Sequence, residues 1–131
     1  MSRPVMPTRV LIVGSGGREH ALAWKLASEP GVNDVVVAPG SDGIAAEDRV
    51  VCAADTDFDA ARIIDACRAH AIELAVVGPE GPLADGMVDE LVAAGITTFG
   101  PSQAAARIET SKAYCHQVAA AAGVPMAASW T

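Results

Sequence analysis

Positive charge is scarce in this chain: nine Lys and Arg stand against sixteen Asp and Glu, a formal net charge of −7. Surfaces that bind nucleic acid or anionic membranes in general rely on clustered Lys and Arg, so neither partner class is expected and any anion site must be local. Cysteine is also rare. Cys52, Cys67 and Cys115 are odd in number, far apart and free of C-x-x-C spacing, which indicates neither a disulfide framework nor a zinc site. They read as reduced, mostly buried small hydrophobes. Aromatic residues make up only 4% of the chain while 51% is apolar, much of it Ala and Val, a composition of globular α/β proteins rather than of disordered or fibrous ones. The stretch from Met1 to Thr8 has two prolines and no long apolar run, so it reads as a loose tail, neither signal peptide nor membrane span. A cytoplasmic protein is the default expectation. The 131 residues suffice for one ordinary domain with a proper core.

What is present is organised around Val10 to Leu22, an apolar run, a small-residue turn and then helix-forming residues. That order reads as a buried parallel strand, a tight loop and a helix N-terminus. Gly14, Gly16 and Gly17 lack a Cβ, so their N–H groups can converge on an anion, and the helix adds roughly half a positive charge. Arg18 can add a full one. The dinucleotide fingerprint G-x-G-x-x-G begins in the same way, but its third glycine is Glu19 here. The acid such a site needs about 20 residues on is represented only by Asp42, displaced into a loop. A free-standing NAD(P)-binding module is therefore the alternative reading of this turn.

Along the chain, strands are expected at Arg9 to Val13, Asp34 to Ala38, Arg49 to Cys52, Ile72 to Val77 and Ile96 to Phe99. Between them, Arg18 to Ser28 reads as a helix with Leu22 and Leu26 facing the sheet. The Pro39 to Asp48 stretch reads as a long loop of the kind that carries function. Thr56, with Asp59 three residues on, is expected to cap a helix whose apolar stripe is Ala60, Ile63, Ile64, Cys67 and Ala71. Gly78 to Pro82 reads as a rigid turn that leaves the Glu80 carboxylate where strand ends meet ligands. A helix from about Leu83 to Ala94 should turn Ala84, Met87, Val88 and Leu91 inward and stop at Gly95. Alternating strands and helices predict a Rossmann-like α/β fold: a five-stranded parallel sheet in the order 3-2-1-4-5, helices on both faces, and a ligand crevice between strands one and four. The last third restarts helices at Ser102 and at Thr110 or Ser111 and ends in an apolar extended segment containing Trp130, which reads as the first strand of something further. His20 reads as a packing or hydrogen-bonding group with no acid near it in sequence, His70 and His116 as helix-surface residues, Met87 as core, and Trp24 as core or interface.

The motifs Gly14-Ser15-Gly16-Gly17-Arg18-Glu19-His20-Ala21-Leu22-Ala23-Trp24, Ala38-Pro39-Gly40, Val76-Val77-Gly78-Pro79-Glu80-Gly81-Pro82-Leu83, Phe99-Gly100-Pro101-Ser102 and Ser111-Lys112-Ala113 together resemble the N-terminal region of the phosphoribosylamine–glycine ligase (glycinamide ribonucleotide synthetase) family. The resemblance covers nearly all of the chain after residue 8, in the same order and with similar spacing. It implies an ATP-grasp enzyme that joins glycine to 5-phosphoribosylamine in purine synthesis: ATP phosphorylates the glycine carboxylate and the amine attacks the acyl phosphate. Mg²⁺ or Mn²⁺ would neutralise the phosphates. The resemblance further implies a disordered tail over 1–8, a pre-ATP-grasp domain over 9–109, and a connecting helix with the start of a truncated ATP-grasp module over 110–131. The turn Gly14, Ser15, Gly16, Gly17, Arg18 and Glu19, with Pro39 and Gly40, would line the phosphoribosylamine side of the site. Glu80 would accept ribose hydroxyls, and Lys112 would reach an ATP phosphate across the domain boundary. In the family the metal carboxylates and most of the nucleotide pocket lie downstream of residue 131, so no catalytic or metal-binding residue is expected here. This polypeptide alone is expected to be inactive as a ligase and to hold no cofactor. Its substrates in the longer enzyme are small molecules, and its exposed docking face would permit self-association.

Overall fold

A computed structural model describes residues 6–128. The apolar runs form five strands, β1 (Arg9–Gly14), β2 (Asp34–Pro39), β3 (Val50–Cys52), β4 (Leu74–Val77) and β5 (Thr98–Phe99). All neighbours pair in parallel, in the order β3-β2-β1-β4-β5, as the alternation of strand and helix signals predicts. Helices α1 (Gly17–Ser28) and α2 (Asp42–Ala45) cover one face; α3 (Ala60–Ala69), α4 (Glu80–Ala84), α5 (Met87–Ala93) and α6 (Gln103–Thr110) cover the other. Central strand β1 shows why both faces need cover. Its side chains alternate, Val10 and Ile12 entering the core under α1 while Leu11 and Val13 enter the core under α3 and α5, and all four are buried.

Several local expectations change once the layers are packed. Leu22 and Leu26 pack against the sheet core as expected, half-buried, and Ala23 and Ala27 beside them are the apolar α1 residues buried fully. The α3 cap is Asp59, whose carboxylate accepts from the Arg62 N–H at 2.9 Å. Thr56 instead lies buried in a short 3₁₀ turn (Ala54–Thr56), its hydroxyl donating to the Ala53 carbonyl. Ala71 falls outside α3, exposed and at φ +49, so the apolar stripe ends at Cys67. The loop after β2 contains α2, capped by the Ser41 hydroxyl, which accepts from the Ile44 N–H.

The turn expected over Gly78 to Pro82 is cut short, since Glu80 already begins α4 and Pro82 sits in its first turn, where its missing N–H costs no helical bond. The single helix expected after it is broken between α4 and α5 at Gly86, which adopts φ +89. The N-terminus of α6 fills that break. Gln103 donates its side-chain amide to the Ala84 carbonyl at 2.8 Å, and its backbone N–H to the Asp89 carboxylate at 2.7 Å. Helix α7 (Lys112–Ala121) starts at Ser111, buries no residue and packs on α6, with the Arg107 guanidinium 4.1 Å from the Tyr114 ring centre. Thr8 is held by Glu73, whose carboxylate accepts from its N–H and hydroxyl. Trp130, and with it the end of the expected extended segment, lies outside the described residues, as does most of the expected tail.

Candidate functional site

Parallel pairing brings the C-terminal ends of β1, β2 and β4 to one edge of the sheet, and each ends in a turn that the sequence marks with glycine. Beside β1 the order reverses from β2 to β4, which is where open α/β sheets leave a crevice for ligands. The turns are tied to one another. The Gly40 N–H donates to the Gly14 carbonyl at 3.0 Å, and the Arg18 guanidinium donates to the Gly78 carbonyl at 2.5 Å. Arg18 thus spans from the first turn of α1 to the turn after β4 while remaining exposed.

A hollow of about 180 Å³ is lined by Gly16, Gly17, Arg18, Glu19, Pro79 and Glu80. At its wall the first bond of the α1 ladder runs from the His20 N–H to the Gly16 carbonyl. The N–H groups of Gly17, Arg18 and Glu19 precede the ladder and have no partner within the helix, the arrangement that attracts an anion to a helix start. Arg18 is the lining cation; Glu19 and Glu80 are lining carboxylates with opposite placements. Glu80 is exposed at the start of α4. Glu19 is 4% exposed, and its Oε2 accepts from the Gly16 N–H at 3.0 Å.

Beside this hollow, a second one of about 260 Å³ is lined by Pro39, Gly40, Ser41, Asp42 and Cys52 among others. Here Cys52 Sγ fills the place of a Cβ on Gly40, 2.3 Å from where that atom would stand, so a side chain at position 40 has no room. A larger hollow, about 690 Å³, lies elsewhere, on the flank between the 3₁₀ turn and α3, and shares Cys52 with the second one.

Seven of the nine residues expected around the sugar phosphate line these two hollows, namely Gly16, Gly17, Arg18, Glu19, Pro39, Gly40 and Glu80; Gly14 lines neither, but its carbonyl ties the turn to Gly40. Ser15 is exposed in the turn and lines neither. Lys112 lines neither and opens α7, exposed. Two contacts escaped sequence reasoning. His20 has an acid partner after all, Glu47 at 2.7 Å, contributed by the loop after β2, and a separation of 27 residues hid it. The burial of Glu19 was signalled only by its standing where the fingerprint has glycine. Among the described residues no group of three or more His, Cys, Asp or Glu converges as a metal site, and no helix is long and apolar enough to cross a membrane.

Comparison with known proteins places these features. The family model described as phosphoribosylglycinamide synthetase, N domain, matches residues 8–109. Over 120 residues the chain is 48% identical to a phosphoribosylamine–glycine ligase of Rhizobium meliloti, covering 92% of this chain and 28% of that protein. It is also 48% identical over 122 residues to the trifunctional purine biosynthetic protein adenosine-3 of Gallus gallus, covering 93% of this chain and 12% of that one. The chain therefore spans under a third of the length of these curated relatives. Among solved structures, the biotin carboxylase domain of a thermophilic 2-oxoglutarate carboxylase bound to bicarbonate superimposes with a TM-score of 0.68 at 20% identity, over 93% of this chain and 29% of that one, a likeness of fold.

Proposed function

The chain belongs to the phosphoribosylglycinamide synthetase family through its N domain, and from that premise we propose that it is the substrate-binding portion of an ATP-dependent carbon–nitrogen ligase that joins glycine to 5-phosphoribosylamine in purine synthesis. The observation that carries the reading is the meeting of the β1, β2 and β4 turns at one sheet edge, with Arg18 joining two of them. On this reading the phosphate of the sugar sits on the unpaired N–H groups at the start of α1 and beside the Arg18 guanidinium, whose remaining N–H groups are available to it. Glu80, exposed on the opposite rim, accepts the ribose hydroxyls. Pro39 and Gly40 complete the wall, where the lack of a Cβ on Gly40 makes room for the Cys52 side chain. These groups bind and orient; none of them moves a proton or forms a bond in the reaction. The partners are small molecules and the setting is cytoplasmic.

ATP and its divalent metal supply, in the whole enzyme, the activation of the glycine carboxylate. The residues of this chain do not fit that group. Three carboxylates do not converge anywhere among the described residues, and Lys112 lines neither hollow at the turns. No step through ATP or metal is derived for this chain, and ligase activity belongs to a longer protein.

The test is a binding titration of the 131-residue chain with ribose 5-phosphate, which has a hydroxyl in place of the amine, followed through backbone amide signals. The expected result is a set of shifts centred on Gly16, Gly17 and Arg18, with affinity falling about tenfold or more in Arg18→Ala, the loss of one charge-assisted contact. Shifts centred on the α3 flank, or an unchanged affinity in the variant, would overturn the assignment. NADH titrated in parallel addresses the dinucleotide alternative, for which none of the relatives gives support; binding of NADH in place of ribose 5-phosphate would reinstate it.

A further inference from the structure

We propose that Glu19 is the specificity-determining residue of the glycine turn, admitting a single phosphate ester and rejecting a diphosphate; this rests on reading the turn as a phosphate site. Among the described residues Glu19 is the only buried charged side chain, and its two oxygens do different work. Oε2 takes the N–H of Gly16 at 3.0 Å. In the dinucleotide fingerprint the second glycine is the one whose backbone approaches the pyrophosphate. That residue is Gly16 here, and its donor is turned inward to a carboxylate. Oε1 is buried without a hydrogen-bond partner, packed where a Cβ on Gly78 would lie 2.3 Å away. A buried acceptor without a donor is complemented by a ligand N–H or O–H and opposed by a phosphate oxygen.

The count of donors then separates the two ligand classes. One phosphate needs one cluster, which the first turn of α1 supplies through Gly17 and Arg18 together with the guanidinium. A second phosphate linked to it would need the Gly16 N–H and would lie against the Glu19 carboxylate. The carboxylate is hemmed in on both sides: a Cβ on Gly14 would stand 2.2 Å from its Cγ and one on Gly78 2.3 Å from its Oε1. A glycine in this place would leave both the donor and the space open.

The experiment compares ADP-ribose and ribose 5-phosphate as ligands of the 131-residue chain and of Glu19→Ala, read by amide signals of Gly16 and Gly17. Glu19→Ala frees the Gly16 donor, removes the carboxylate and keeps a helix-forming residue. The expected result is a gain of at least tenfold in affinity for ADP-ribose relative to that for ribose 5-phosphate. An unchanged ADP-ribose affinity, or an equal gain for both ligands, overturns the inference. Should Glu19→Ala fail to fold by circular dichroism, Glu19→Gln carries the test. It keeps the volume and the acceptor for Gly16 while removing the charge, so a threefold gain for ADP-ribose relative to ribose 5-phosphate is expected and none overturns. Failure of the unaltered chain to bind ribose 5-phosphate would remove the reading of the site, whereas the comparison of ADP-ribose between chain and variant decides the role of Glu19 independently.

Discussion

Gly78→Ala is a substitution whose cost the structure assigns to a single neighbour. Gly78 does not adopt a left-handed backbone, so alanine meets no conformational penalty there, and the three nearest atoms to its new Cβ all belong to Glu19: Oε1 at 2.3 Å, Cδ at 3.2 Å and Cγ at 3.5 Å. A gap of 2.3 Å is not tolerated, so the carboxylate must shift, and its bond from the Gly16 N–H is disturbed. Overpacking of this kind costs about 1–3 kcal/mol, and a charge-assisted hydrogen bond contributes about as much; partial relaxation makes about 2 kcal/mol the expected loss. In a Glu19→Ala background the obstacle is gone, so the same substitution should cost less than about 0.5 kcal/mol, a coupling of about 1.5 kcal/mol in a double-mutant cycle. Gly14→Ala provides the contrast. Its Cβ also meets only Glu19 among its nearest atoms, at 2.2 Å, but its φ of +144° remains whatever stands at position 19, so Glu19→Ala should relieve it only in part. The assay is denaturant unfolding by circular dichroism with constant m-values. Equal cost of Gly78→Ala in both backgrounds would refute the argument that Glu19 is wedged between the two turns.

Burial in the apolar layer under α3 raises the Cys67 thiol from 9.0 to about 11. The unfolded chain therefore ionises first: the contribution to stability is complete below pH 9 and declines between about 9 and 11, at most about 1.4 kcal/mol per pH unit. Unfolding free energies across that range should lose this slope in Cys67→Ala, and a thiol reagent under native conditions should modify the half-buried Cys52 and Cys115 and spare Cys67; native labelling of Cys67 at the same rate would contradict its burial. Glu73 is held below its usual 4.5 by the Thr8 N–H and hydroxyl, with the Arg9 N–H and guanidinium adding to them. Its contribution is present above the unfolded value and is lost as pH falls through the lower folded one, so an NMR titration of its carboxyl should show a midpoint below 4.5, and a midpoint at or above that value would dissolve the contact with Thr8.

The order of elements and the sheet topology were written in the sequence by itself. Five β-branched apolar runs separated by helical periodicities leave few ways to bury both faces of a sheet, and right-handed parallel crossovers leave fewer. The glycine turns at strand ends, and hence the crevice beside β1, follow from the same pattern. What only the tertiary structure decided are the contacts closed across the chain. Local spacing nominated Thr56 as a cap, but packing buried it and gave the cap to Asp59; helical periodicity ran through Gly86, but docking of Gln103 broke the helix there. Leucine spacing pointed Leu22 and Leu26 at the sheet, where they pack half-buried, but that Ala23 and Ala27 are the fully buried members was decided by packing. His20 found Glu47, and Arg18 found the Gly78 carbonyl across 60 residues. Glu19 shows the division most clearly. Its place in the fingerprint is legible in one dimension, but that its carboxylate turns inward, takes a donor from the turn and forces glycine at two strand ends is a consequence of β1 and β4 lying side by side, which no spacing along the chain expresses.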